Sequence, residues 1–380
     1  MRISDKTPKR FRRSPLAALA ACVMPLVAWA PVSQAQSVTT IPGFNARQNA
    51  ILAPYARYLT PLTNGSLGES AYDAADVALQ GLSTRTEALR GLPQNDSSEI
   101  YSHGQPTRFA FWGKGYFGRT SMSSDAGFDG YRTTLGGGEI GLDTHWQGGG
   151  GGIAFSRGIS TIDERGYTDG DNAQIKSYQF SLYATQGFGA AYIEGTASIA
   201  RQTFETNRGT PLATAAYGSY SGLQSIVGLA AGYHIGLGGS LVLTPIVALQ
   251  ESIQHQNAYT ESGADNLDLA VEGQSRTRLR ASVGVRLSAN TGMRVLIAPE
   301  IHAFVRQNIG GGTNDVTARY ADGGSAFVTA GYHVPRTSLD LGGSVTFGIY
   351  RHIALQLEAD AEYQRDSAGI AGLLTARLQF

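Results

Sequence analysis

Seven histidines, at 103, 145, 234, 255, 302, 333 and 352, are the side chains best suited to bind metal or move protons. Their spacing argues against both roles. No two form a His-x3-His pair, and the lone cysteine, Cys22, excludes a Cys-x2-Cys clip. His302 stands two residues from Glu300, which on a strand puts both on one face, and the expectation is a lumen-facing polar pair. His255, near Glu251 and Glu261, reads as strand-end polar chemistry. The serine-rich runs lack the Gly-x-Ser-x-Gly context of a hydrolase elbow. Gly148–Gly152 and Gly310–Gly312 lack the Lys-Ser/Thr of a phosphate-binding loop and read as flexible turns. Asp169-Gly170-Asp171-Asn172 opens like a calcium loop, but its twelfth position is Phe180, so a tight polar loop is expected. Glu261, Asp265, Asp268 and Glu272 are expected to be solvated loop acids. No catalytic, cofactor-binding or metal-binding residue is assigned; the chain is expected to be no enzyme and to carry no cofactor.

The elements that would position these residues are strands. Leu374, Ala376, Leu378 and Phe380 are apolar, while Thr375, Arg377 and Gln379 between them are polar, a period of two that runs to the last residue. Ile353, Leu355, Leu357, Ala359, Ala361 and Tyr363 alternate with Ala354, Gln356, Glu358, Asp360 and Glu362. Leu279, Ala281, Val283, Val285 and Leu287 alternate with Arg278, Arg280, Ser282, Gly284 and Arg286. Three carboxylates on a buried face would be costly in an ordinary core. A water-filled lumen removes the difficulty, with Arg278, Arg280 and Arg286 as candidate counter-charges.

Twelve such segments follow Phe109, approximately 109–121, 131–145, 150–163, 174–187, 190–205, 220–235, 240–255, 272–288, 292–307, 337–350, 353–365 and 369–380. Connections after the even-numbered segments are short: Trp146–Gly149, Phe188-Gly189, Gly236–Gly239, Ala289–Thr291 and Arg351-His352. Those after the odd-numbered ones are longer and more polar, as at Glu164–Ala173, Thr206–Ser219, Gln256–Val271 and Asn308–Arg336. Short turns at one end and long loops at the other are the habit of outer-membrane barrels, and an even count returns both ends to the periplasmic side. The fold class expected is all-β: a transmembrane antiparallel β-barrel of about twelve strands, with an N-terminal helical segment inside its lumen. Mean hydropathy of −0.14 fits, because every second barrel residue is polar.

Residues 1–35 read as a secretory signal: Lys6, Lys9, Arg10, Arg12 and Arg13, then an apolar stretch from Pro15 to Ala30, then Ser33-Gln34-Ala35, with Ala28-Trp29-Ala30 as a second cleavage option. Leu19-Ala20-Ala21-Cys22 resembles a lipoprotein signal, but Val23, Met24, Leu26 and Val27 continue the apolar run, so ordinary cleavage is expected. Removal of residues 1–35 would leave 24 basic and 29 acidic side chains and no cysteine, a net charge of about −5. That balance excludes a nucleic-acid binder, and the missing cysteine excludes disulfides in an oxidising periplasm. Residues 36–45 are a short remnant and 46–105 a helical pre-barrel segment. Ala46–Leu59 reads as helical with Pro54 as an interruption. Ser70–Gly91 reads as a better helix, with Ala74, Val77, Ala78 and Leu82 at helical spacing, Ser70 as N-cap and Asp73 three residues on.

These features together resemble the translocator domain of the autotransporters. Asn45–Leu59 resembles the helical stretch that precedes such domains, and Leu82–Ser102 the stretch after it, without an exact Leu-Ser-Gly-Glu turn. Phe109-Ala110-Phe111-Trp112-Gly113 resembles the family's aromatic first strand, and 330–339 its Gly…Pro…Arg-Asp-Ser stretch. The resemblance covers roughly 45–380, with the barrel over 106–380. It implies export to the bacterial outer membrane and contact with its lipid, periplasmic chaperones and barrel assembly machinery. It implies an assembly signal in Gly372, Leu374, Ala376, Leu378 and Phe380, and a lumen plugged by a helix. Only about Gln36–Phe44 is left for a passenger, so little or none is expected and no passenger activity is inherited. The alternatives are a free-standing adhesin or porin-like barrel acting through its loops or pore and, from another class, an outer-membrane hydrolase.

Overall fold

The computed structural model describes residue 47 and residues 63–90, 109–124, 129–289, 297–311, 314–329, 331, 336–350 and 353–379. Residues 1–35, expected to be a signal, all of Ala46–Leu59 except Arg47, and Phe380 lie outside these. Helix α1 is Thr63–Arg90. Twelve long strands follow among the described residues. They are β1 (Phe109–Met122), β2 (Tyr131–Trp146), β3 (Gly149–Glu164), β4 (Asn172–Phe188), β5 (Ala191–Gly209), β6 (Ala215–Tyr233), β7 (Leu241–Gln256), β8 (Gln274–Ala289), β9 (Ile297–Gly311), β10 (Thr337–Tyr350), β11 (Ile353–Tyr363) and β12 (Ser367–Gln379). Each pairs antiparallel with the next. β12 pairs with β1, Leu378 opposite Phe111 and Gly372 opposite Phe117, which closes the barrel and removes the free edges a sheet would otherwise expose.

The period of two sorts every strand into faces. Phe111, Phe117, Ile140, Leu142, Phe155, Leu182, Ile199, Val247 and Leu357 point outward and are exposed. Lys114, Glu139, Asp143, Gln179, Gln202, Gln224, Gln254, Asp340 and Asp360 point inward and are buried. Exposed rings of Phe109, Trp146, Phe188 and Tyr233 gather where β1 starts and β2, β4 and β6 end. That is the position of an interfacial aromatic girdle. No helix among the described residues is long and apolar enough to cross a membrane, so strands supply the crossing surface.

The short-turn end is built as the spacing predicts. β2 meets β3, and β4 meets β5, across two residues each, and Gly148 (φ +74°) and Gly189 (φ +67°) take the left-handed conformation that such hairpins need. A four-residue strand, Ile235–Gly238, pairs back on the start of β7. The connection expected at Ala289–Thr291 falls largely in 290–296, outside the described residues.

The other end departs from expectation. Thr206–Ser219 is mostly strand: β5 runs to Gly209 and β6 begins at Ala215, leaving only 210–214 as loop. The reason is packing, because Thr206, Arg208 and Ala216 still face inward and are buried. The longer loops fold on each other. Tyr259–Thr260, Leu269–Val271, Val316–Tyr320 and Phe327–Thr329 form a small antiparallel sheet over Leu269, Val271, Val316, Ala318 and Phe327. Glu261 is therefore not solvated: it is buried and receives Arg208 Nη2 at 2.5 Å and the Leu269 amide at 3.0 Å. Asp268 Oδ1 accepts the Ala264 amide at 2.9 Å. Asp171, in the β3–β4 loop, accepts the Gly209 amide at 2.6 Å, and burial raises its carboxyl above the usual range.

Candidate functional site

Helix α1 lies inside the barrel. It begins seven residues earlier than the N-cap expected at Ser70, and Ser70 sits within it, its hydroxyl 2.8 Å from Thr133 on β2 instead of capping. The extra turns form because Leu67 and Ala71 bury against Met122, Tyr131, Ile162, Ala173, Ile175, Phe204 and Tyr220. Tertiary burial outweighs the weak local signal. Further along, Ala75, Leu79, Leu82 and Leu89 pack with Trp112, Ala154, Tyr183 and Ile226. Small residues let the helix approach closely. A Cβ at Gly81 would collide with Lys114, whose Nζ donates to the Ala78 carbonyl at 2.8 Å and pairs with Glu139 at 2.5 Å.

Polar contacts fix the direction of the helix. Near its start Ser66 donates to Glu164 at 2.6 Å, and Glu164 ends β3 at the long-loop side. Near its end Arg90 Nη1 reaches Thr185 at 2.6 Å and Glu194 at 2.9 Å while stacking 3.6 Å over Tyr192, beside the β4–β5 turn. α1 thus runs from the long-loop mouth to the short-turn mouth. Between these ends Arg85 grips Asp143 with two bonds, 2.5 and 2.6 Å, and Asp143 also accepts the Tyr183 hydroxyl at 3.0 Å.

The arginines of β8 make their direct ion pairs with the helix and with Glu300, and not with Glu358, Asp360 or Glu362. Arg278 pairs with Glu69, Arg280 with Asp76 at 2.6 Å, and Arg286 with Glu87 and, at 2.9 Å, with Glu300. The helix supplies the carboxylates because Glu69, Asp76 and Glu87 face β8. The two ladders also match in length. Eighteen helical steps from Glu69 to Glu87 advance about 27 Å, and eight strand steps from Arg278 to Arg286 advance about 27 Å. That agreement is the sequence signal that could have found the pairing. Glu362 pairs with Arg306 at 3.0 Å instead.

Beside the helix lies a cavity of about 250 Å³ that borders β8 to β12 and parts of β1, β2 and β5 to β7, lined among others by Arg280, His302, Arg306, Asp340, Asp360 and Glu362. His302 and Glu300 share the inner face of β9, as expected, but Glu300 is held by Arg286, and His302 Nε2 lies 3.0 Å from Asp360 Oδ1. His255 points outward, 2.8 Å from Ser275 Oγ, and is not brought together with Glu261. Gly372, Leu374, Ala376 and Leu378 form an exposed outward row on β12.

Comparisons with known proteins agree with this geometry. The chain is 24% identical over 258 residues to Outer membrane protein A of Rickettsia conorii, and 22% identical over 284 residues to Outer membrane protein B of Rickettsia prowazekii. These alignments cover 63% and 69% of this chain but only 12% and 17% of the relatives, so the chain spans less than a fifth of their length. Among solved structures, the translocator domain of the autotransporter NalP from Neisseria meningitidis superposes with a TM-score of 0.62 at 16% identity, covering 81% of this chain and 98% of that one. The beta domain of the Bordetella autotransporter Brka gives 0.53 at 15% identity, covering 72% and 100%. A family model described as the autotransporter beta-domain matches residues 111–360, about two thirds of the chain. The protein belongs to the autotransporter beta-domain family and is placed by it in the bacterial outer membrane.

Proposed function

We propose that this barrel is a non-catalytic transport unit whose lumen α1 plugs, with the chain before Thr63 leading to the outer face. The observation that carries the reading is the direction of the helix: Ser66 is tied at the long-loop mouth and Arg90 beside the short turns. Long loops face outward in outer-membrane barrels, so a segment preceding the helix would emerge outside. A helix packed inside the barrel supports this reading over the porin-like alternative. In that role Gly372, Leu374, Ala376 and Leu378, with the terminal Phe380, would present the row read by the barrel assembly machinery.

Planar-bilayer recording tests the plug. The full chain is expected to show small or no steady currents, and deletion of 63–90 is expected to open large ones. Large open currents in the intact protein, unchanged by the deletion, would refute it.

A further inference from the structure

Gly342 on β10 is flanked by two lumen-facing residues in register: His302 of β9 is its partner on one side, and Asp360 of β11 on the other. Because Gly342 has no side chain, both neighbours lean over it. A Cβ at that position would collide with Asp360 Oδ1 and His302 Nε2. Asp340, two residues along β10 on the same face, brings a third group, its Oδ1 3.4 Å from His302 Nε2. The three candidate ligand atoms all lie within 4.8 Å of one another.

These separations are those of ligands around a small ion. With metal–ligand bonds of about 2.1 Å, atoms roughly 90° apart lie about 3.0 Å from each other, and atoms roughly 110° apart about 3.4 Å. The Nε2–Oδ1 distances are 3.0 and 3.4 Å. Apart from His302 the acids lack donors at the cluster: Asp360 Oδ2 is buried without a hydrogen-bond partner, Asp360 Oδ1 and Asp340 Oδ1 face His302 Nε2, and the two side chains are 5% and 3% exposed. The cavity beside them is net acidic: eight carboxylates and four arginines line it, and of the eight only Glu69 and Glu194 are paired by arginines outside the lining, Arg278 and Arg90. Arg306 holds Asp340 Oδ2 at 3.1 Å, leaving Oδ1 turned to the cluster. Glu300 lies 3.9 Å from His302 Nδ1, on the side of the ring away from the cluster, where it stands as an outer-shell carboxylate.

We propose that His302 Nε2, Asp340 Oδ1 and Asp360 Oδ1 bind one divalent transition-metal ion of the zinc type, with a fourth position open to the lumen cavity. An imidazole with two carboxylates suits Zn2+ and its neighbours better than Mg2+ or Ca2+, which take oxygen-only shells. The spacing rules for helices miss such a centre, because its ligands come from three adjacent strands.

The test is calorimetric titration of Zn2+ into the full chain, purified in detergent and stripped with chelator, with the Co2+ absorption spectrum as a second readout. One ion per chain is expected. His302→Ala and Asp360→Asn should each weaken binding by at least the 10–100-fold typical of losing an outer-shell partner, and Glu300→Gln by about 10-fold. Gly342→Ala should block binding while removing no ligand. His255→Ala, at an exposed position, should change nothing. Retained heat-modifiable gel migration checks folding; if His302→Ala loses it, the isosteric Asp340→Asn carries the test. The proposal is overturned if no stoichiometric ion binds, or if binding survives unchanged in the His302, Asp340 and Asp360 variants, as an ion on surface acids would.

Discussion

One face of α1 packs closely against β1 to β5, while the other looks toward β8 to β12 across a cavity whose lining also takes in parts of β1, β2 and β5 to β7. On the first side Ala71, Ala75, Ala78 and Leu82 touch Tyr131, Trp112, Tyr116 and their neighbours, and the ion pairs embedded there, Arg85–Asp143 and Lys114–Glu139, are nearly inaccessible to solvent. On the second side the contacts are long arginines reaching from β8 to Glu69, Asp76 and Glu87, with open volume beyond. The same helix is held by close apolar packing on one wall and by ion pairs beside open volume on the other. A buried charge that loses its partner stays desolvated, whereas one lining a wet cavity can exchange its partner for water.

The largest effect is therefore expected on the closely packed wall. Arg85→Met would leave Asp143, whose side chain is fully buried, as an uncompensated charge, at a cost of about 3–5 kcal/mol. Urea unfolding followed by loss of the heat-modifiable band measures it. Arg85→Met with Asp143→Leu should recover most of the loss, since an apolar pair replaces the ionic one without stranding either partner. A double variant as damaged as the single one would mean that this wall depends on the ion pair itself and not on its burial.

Asp76→Asn probes the cavity wall. It breaks the 2.6 Å pair with Arg280, but Arg280 borders the cavity and can be rehydrated, so about 1–2 kcal/mol is expected in the same assay. A cost equal to that of Arg85→Met would erase the distinction between the walls.

This division also separates what could be read in the sequence from what could not. Lipid outside and water or helix inside force a period of two on both walls, so 353–363 and 278–287 were legible as strands, and so were the tight turns at Gly148 and Gly189. The start of α1 was not, because nothing local at Thr63 announces a helix that Leu67 and Ala71 stabilise only by meeting β2, β3 and β4. Partner choice was also hidden. A period of two says that Arg280 and Asp360 face inward, but only the position of the helix shows that Arg280 meets Asp76, and only the register across Gly342 shows that Asp360 meets His302. The small loop sheet escaped because strands as short as Tyr259–Thr260 carry no periodicity to read.

The smallest effect is expected where the two walls meet, at the short-turn mouth. His234, in the connection from β6 to β7, stacks on Tyr192 and has Nδ1 3.0 Å from Thr244 Oγ1. Burial, reinforced by the positive charges of Arg90 and Arg286, lowers its pKa to about 4. The folded protein thus keeps His234 neutral while the unfolded chain takes up a proton near pH 6.5. The stability contributed by the neutral ring is fully present above pH 6.5 and falls as pH drops from there toward 4. Protonation would also set a positive charge beside Arg90, the last helical residue that ties α1 to Glu194. Urea midpoints measured from pH 7.5 to 5 should decline, and His234→Gln, which keeps a polar side chain but cannot titrate, should flatten that part of the decline. If the slopes of the wild type and His234→Gln coincide, the pH response belongs to the carboxylates of the cavity wall, and the short-turn mouth is held by packing alone.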